Sequence, residues 1–200
     1  MRSEKGCYRA VCAAALLVIV TGCIGKSPNV TYYTLSPVAT AATASADPVA
    51  IAIGPADFPK SLQRVQIATR VGPNRVDYDE FHRWAGTLDA DFLDVTAINL
   101  SRLLGTDRVV VYPTPASYAL DYRVMFDVVR FEADASGSVT LEVRWILEDG
   151  SGGDIDAGSF QTVQAGTDDD YDSRAAAHSR AVGEMASALA NEIRSRRSAG

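Results

Sequence analysis

Residues 120–128 and 139–147 each alternate between an apolar set and a mostly polar set, and this alternation constrains the fold more than any other feature. The apolar members are Leu120, Tyr122, Val124, Phe126, Val128, Val139, Leu141, Val143, Trp145 and Leu147. Because successive strand residues point to opposite faces, each stretch predicts a strand with one buried face. The loop at 134–137 (DASG) joins them and predicts a long antiparallel hairpin. A register that places Val128 opposite Val143 would also pair Asp127 with Arg144.

Six shorter stretches also predict strands, at 31–35, 49–53, 64–71, 75–78, 108–112 and 159–164. Pro55 and Pro59 are expected to end the second of these. The turn at 72–74 (GPN) should join the third and fourth as a hairpin. Residues 39–47 are small and low in complexity, and they predict a flexible loop.

Two segments have helical periodicity. The first spans 88–104, with Asp89 or Asp91 able to cap its start and Gly105 able to end it. The second spans 173–197, begins at Asp172 or Ser173, and has the apolar stripe Val182, Met185, Ala186, Leu189 and Ile193. The expected fold is therefore a single α/β (mixed α+β) domain: a mixed sheet that contains the long hairpin, packed by two main helices.

The N-terminus has the layout of a secretory signal peptide, with a basic start and an uncharged apolar run at 10–20. That run is shorter than the roughly 20 apolar residues that a membrane-spanning helix needs. Residues 20–23 (VTGC) are similar to a bacterial lipobox, in which the chain is cut before the cysteine and the sulfur is acylated. An ordinary signal peptide that happens to contain a cysteine is the alternative. We predict a signal peptide at 1–22, a lipidated tether at 23–30 with Cys23 as the lipidation site, and a domain at 31–200.

Two acyl chains on Cys23 would make a stable membrane anchor without a spanning helix. Ile24 stands where an aspartate would favour retention in the inner membrane, so the expected location is the periplasmic face of the outer membrane. Residues 24–30 (IGKSPNV) reach at most about 24 Å when extended. The 178 residues from Cys23 onward carry 16 Lys or Arg and 24 Asp or Glu, a net charge of −8. This acidity argues against nucleic acid as a partner.

The sequence carries no motif of a known catalytic or cofactor site. Its two histidines, His82 and His178, have no other ligand residue at a metal-site spacing. The acidic run at 168–172 lacks the ligand spacing of a calcium loop and is better explained by the helix that follows it. The expectation is a protein that is not an enzyme and that binds no metal or cofactor.

Residues 59–104 carry the most specific pattern in the chain. With the lipobox and an early Tyr-Tyr-x-Leu strand, this block resembles the ABC-type transport auxiliary lipoproteins, the PqiC/YmbA family. The matching positions are Tyr32, Tyr33, Leu35, Pro59, Leu62, Arg64, Gln66, Ile67, Arg70, Arg83, Trp84, Ala85, Asn99, Leu100, Leu103 and Leu104. After Arg-Trp-Ala the family often continues with Glu-Pro-Leu, whereas this chain has GTL at 86–88.

The resemblance implies a non-catalytic subunit that docks a periplasmic MCE-domain protein to the outer membrane, within a lipid transport system, as a ring-forming homo-oligomer. The candidate interface residues are Arg64, Gln66, Arg70, Arg83 and Trp84, because arginine and tryptophan are favoured at interfaces. The arginines could instead face water from an edge strand, and Trp84 could close the core. One alternative function is a stand-alone periplasmic lipoprotein that binds lipid or another envelope component, which predicts a large apolar pocket. Another is an anchored hydrolase, which predicts a Ser-His pair or clustered acids in a cleft.

Overall fold

Eight strands and two long helices make up the fold over residues 29–113, 118–167 and 170–199, which the computed structural model describes. The strands are β1 (Thr31–Tyr33), β2 (Ile51–Asp57), β3 (Gln66–Gly72), β4 (Arg75–Trp84), β5 (Val109–Val111), β6 (Tyr122–Asp134), β7 (Val139–Asp149) and β8 (Asp154–Gln164). The helices are α1 (Leu88–Leu104) and α2 (Tyr171–Ala199), and a single 3-10 turn covers Lys60–Leu62. The mixed α+β fold predicted from the sequence is confirmed. The predicted signal peptide and Cys23 lie outside the described residues.

Strand β6 organises the sheet because it is long enough to pair with three other strands. On one edge its first half runs parallel to β2 and its last residues run parallel to β3. Its other edge pairs antiparallel with β7, which in turn pairs with β8. The predicted register is confirmed: Val128 lies opposite Val143, and Arg144 Nη1 is 3.0 Å from Asp127 Oδ2.

Both helices pack on the same face of the sheet, α1 over β2 and β5 and α2 over β7 and β8. The predicted stripe of α2 is buried along its whole length, with each of its five members at most 3% exposed. At the centre, the ring of Phe92 on α1 lies 5.4 Å from those of Phe58 and Phe126 and 5.9 Å from that of Phe131. Each such side chain contributes about 1.5–3 kcal/mol by leaving water, which makes this layer the core of the domain.

Residues 34–47, which we call the strap, lie across the two helices. They form no regular element, and residues 39–47 within them, predicted as a flexible loop, are bonded to α1 and to Gly105 through the backbone N–H groups of Ala39, Ala42 and Ser45. Asn99 Oδ1 on α1 accepts hydrogen bonds from the backbone N–H groups of Val38 (3.0 Å) and Ala39 (2.9 Å). Ser179 Oγ on α2 accepts one from the N–H of Ser36 at 3.0 Å.

The strap continues along α1 to its C-terminal end. There the N–H of Ser45 donates to the carbonyl of Gly105 at 2.8 Å, and Arg197 near the end of α2 pairs with Asp47. A Cβ on Gly105 would overlap the strap backbone at Thr43, so only glycine allows this close approach. The small residues of the strap therefore suit a backbone that lies close to the end of α1.

Three local predictions need correction. Pro55 does not end β2, because the pairing with β6 shifts there and so tolerates a residue without an N–H. Neither Asp89 nor Asp91 caps α1, whose N-cap is Thr87. The Asp91 carboxylate instead accepts the N–H of Leu35 in the strap. Helix α2 is capped by Asp170, whose Oδ1 accepts the N–H groups of residues 172 and 173. Gly105 ends α1 in the left-handed conformation (φ 63°), as predicted.

Candidate interaction surface

All five candidate interface residues lie in the β3–β4 hairpin or within two residues of it. Gln66 pairs with Arg83 across the two strands, and Arg64 precedes Gln66 by two residues. Arg70 lies at the other end of β3, beside the turn. Strand β4 is longer than predicted and ends at Trp84, so the fifth candidate is also part of this hairpin.

A wide bulge in β4 separates these two ends of the hairpin. Gln66 pairs with Arg83 and Ala68 pairs with Tyr78, so a single residue of β3 faces four residues of β4, at 79–82. Asp79 Oδ1 stabilises the bulge by accepting the N–H groups of Phe81 (2.7 Å) and His82 (2.9 Å). Burial alone would raise the pKa of Asp79, but hydrogen bonds from the His82 side chain and from these amides hold it below its usual value.

On the inner side, β4 packs against α2 through two aromatic contacts. The His82 ring stacks on the Tyr171 ring at 3.8 Å with an interplanar angle of 4°, and both side chains bond Asp79. Trp84 is 3% exposed and meets the ring of His178 edge-on at 5.1 Å. Trp84 therefore closes the core, and a partner could not contact it directly in this structure.

On the outer side, the same alternation exposes aromatic and polar side chains. Because His82 and Trp84 contact α2, Arg83 between them points away from it. Tyr32 on β1 pairs with Arg83, and strand alternation places it on the side opposite to its neighbour Tyr33, which contacts Tyr171. Tyr32 is 61% exposed and Phe81 41% exposed. The sequence analysis missed Phe81 because it took the strand to end at residue 78.

We call the exposed or partly exposed side chains of Tyr32, Arg64, Gln66, Phe81 and Arg83 the open face. Arg83 is held by the carbonyl and the carboxylate of Glu80, at 3.0 Å and 3.1 Å. The Gln66 amide lies 3.5 Å from that same carboxylate. Arg64 rests over the ring of Tyr78, 4.8 Å from its centre, which is a cation–π contact. The arginines of the open face are therefore positioned by neighbours without being buried.

Arg70 has a different environment from the other candidates. Its Nε lies 2.6 Å from Oε1 of Glu132 on β6, and Glu132 is only 4% exposed. Arg130 also reaches this oxygen, at 3.2 Å. Removing one member of a buried ion pair leaves an uncompensated charge, so this arrangement holds β3 to β6. We therefore assign Arg70 to the support of the hairpin rather than to the open face.

The described residues contain no group of three or more His, Cys, Asp or Glu that could hold a metal ion. Burial lowers the pKa of His178 to about 4, so this histidine is a neutral core residue at neutral pH. Met125, Ile146 and Ala157 line an open groove of about 370 Å³ on strands β6, β7 and β8. Over the same parts of the chain, no helix is long and apolar enough to cross a bilayer.

The chain is similar to one described protein family and to solved structures of related fold. Residues 33–190 match the family described as ABC-type transport auxiliary lipoprotein component. A crystal structure of an uncharacterized protein is 19% identical with a TM-score of 0.64, over 82% of this chain and 99% of that one. A Xanthomonas campestris protein of the DUF330 family is 18% identical with a TM-score of 0.66, over 83% and 99%. At such identities the two structures support the fold alone. Comparison with curated proteins gives no significant match.

Proposed function

Since the chain belongs to the family of ABC-type transport auxiliary lipoprotein components, we propose that it is the outer-membrane subunit of a lipid transporter. In this proposal Cys23 anchors the protein to the periplasmic face of the outer membrane. The domain docks the periplasmic MCE-domain protein of the transporter to that membrane and supports envelope integrity, without catalysis and as a homo-oligomer. The observation that carries the proposal is the family match, which extends from β1 through most of α2.

The five proposed contact residues fall into two groups, one accessible and one supporting. Arg64, Gln66 and Arg83 are accessible on one face and held in place by their neighbours, so they remain candidates for contact outside the chain. Arg70 and Trp84 support that face from within, through the pair with Glu132 and through the core contact with His178. Substitutions at these two positions are expected to act through the fold.

Capture from intact membranes tests the proposed role. The full-length chain, tagged at its C-terminus, is cross-linked in cells with a cleavable reagent, purified in detergent and analysed by mass spectrometry. We expect the MCE-domain protein to be recovered with the unaltered chain and to be lost with Cys23→Ser. Acylation of Cys23 is measured in the same samples by fatty-acid labelling. Normal acylation without recovery of an MCE-domain protein would rule out docking as the function.

A further inference from the structure

We propose that the open face lies against the bilayer surface, with Tyr32 and Phe81 in the headgroup layer and Arg64 and Arg83 near lipid phosphates. This inference rests on the lipid anchor of the proposed function, and it names what the open face contacts. The docking of a protein partner then falls to other surfaces of the domain.

The length of the tether carries the first part of the argument. Strand β1 begins at Thr31 and lies at an edge of the sheet, where β4 is its one partner among the described strands. The seven residues between Cys23 and Thr31 reach at most about 24 Å. A domain of this length has a radius of gyration near 15 Å and is therefore roughly 40 Å across. The tether cannot extend around the domain, so the side of the fold that carries β1 must stay near the membrane.

The open face has the amphipathic side chains that favour such a location. Tyr32 and Phe81 lie beside Arg83, one by strand pairing and the other two positions along β4. They are 61% and 41% exposed, although both are aromatic. Aromatic rings are enriched at membrane–water interfaces, where an apolar ring body and a polar rim are both accommodated. Two adjacent exposed rings next to the tether therefore indicate contact with the headgroup layer.

Charge is distributed so that this part of the chain is attracted to an anionic surface. Residues 58–87, which contain most of the open face, carry five basic and three acidic residues, whereas the chain from Cys23 onward has a net charge of −8. In the part of the chain that the structure describes, the acid that contacts these side chains is Glu80, and it is already bonded to Arg83 and Gln66. Each basic residue close to an anionic bilayer strengthens association by roughly fivefold. Arg64 and Arg83 would thus be drawn to the phosphates of anionic lipid although the chain as a whole is acidic.

Site-specific fluorescence in vesicles tests the inference. The full-length lipidated protein is reconstituted into vesicles of phosphatidylethanolamine, phosphatidylglycerol and cardiolipin. Thiols are introduced one at a time as Tyr32→Cys, Phe81→Cys and Val163→Cys, and each is labelled with an environment-sensitive dye. Labelling is specific because Cys23 is the only cysteine left after cleavage and its sulfur is acylated. Val163 is a matched control, since it is 61% exposed but lies on β8, at another edge of the sheet.

We expect brominated lipid to quench the dye at positions 32 and 81 at least threefold more than at position 163. The difference should shrink when phosphatidylglycerol and cardiolipin are omitted, and also in an Arg64→Glu, Arg83→Glu variant. Equal quenching at all three positions in folded, acylated protein would overturn the inference. Protection of positions 32 and 81 only after addition of the MCE-domain protein would also overturn it and assign the face to that partner. Capture of the MCE-domain protein is scored separately, so docking and membrane contact can fail independently.

Discussion

Replacement of Asn99 by alanine should release the strap from α1 and destabilise the domain by about 3 kcal/mol. Asn99 is fully buried, and its Oδ1 accepts the N–H groups of Val38 and Ala39. Each partly buried amide that loses its acceptor costs about 1–3 kcal/mol, and the small cavity adds about 1 kcal/mol. Against this, Asn99 Nδ2 has no hydrogen-bond partner among the described residues, so its removal returns about 1 kcal/mol.

Thermal unfolding followed by circular dichroism measures this loss. For a domain of this size, 1 kcal/mol shifts Tm by about 2–4 °C, so we expect a decrease of about 6–12 °C. Hydrogen exchange should accelerate in a peptide covering the strap, more than in peptides from the sheet. Asn191→Ala is the matched control, because Asn191 is exposed on α2 and alanine favours a helix there. A Tm for Asn99→Ala within 2 °C of the unaltered protein, with unchanged exchange, would refute the claim that Asn99 fastens the strap.

Three further predictions concern single residues and are read by the same unfolding assay. Gly105→Ala should lower the free energy of unfolding by about 2 kcal/mol or more, because φ is 63° and the new Cβ would meet the strap backbone. A change below about 0.5 kcal/mol would contradict this close approach. Glu132→Gln removes the charge that pairs with two arginines and should lower the free energy of unfolding by about 1–3 kcal/mol, since both arginines keep partial access to water. Glu142→Gln, at a partly buried position on β7, is the control and should be nearly neutral. The pKa of His178 is about 4 in the folded state and about 6.5 when unfolded, so the unfolded state binds the proton first as pH falls. Stability should therefore decline by up to about 1.4 kcal/mol per pH unit between pH 6.5 and 4, and His178→Phe should flatten that slope. An unchanged slope in the variant would show that another group is responsible.

The parts of the fold that the sequence predicted well are those whose side chains repeat with a fixed period. The β6–β7 hairpin was predictable to the register because alternation and the opposite charges of Asp127 and Arg144 agree on one pairing. The bounds of α1 were predictable because its apolar surface is wide and Gly105 is a strong end signal. In both cases the information lies within a few residues of the element itself.

The strap and the β4 bulge were not predictable because their determinants are distant in sequence or have no period. The strap is defined by bonds to Asn99 and Ser179, which lie 61 and 143 residues from the amides they bind. The bulge inserts extra residues between two paired segments, and this breaks the alternation from which the exposure of Phe81 could have been predicted. The structure brings Arg64, Gln66 and Arg83 close together, but their role as an interface stays a prediction, and the sequence could not separate Trp84 from them without the burial of that ring.

The attachment of the strap to the last helix has a consequence for when this domain can fold. Synthesis delivers the N-terminal segment first, yet its partners Ser179 and Arg197 come much later in the chain. A nascent polypeptide that ends before Tyr171 would lack α2, its buried stripe and the two α2 side chains that bond the strap. Completion of the domain must therefore wait for the final thirty or so residues. A nonsense mutation anywhere upstream would leave an unfinished chain rather than a smaller working version.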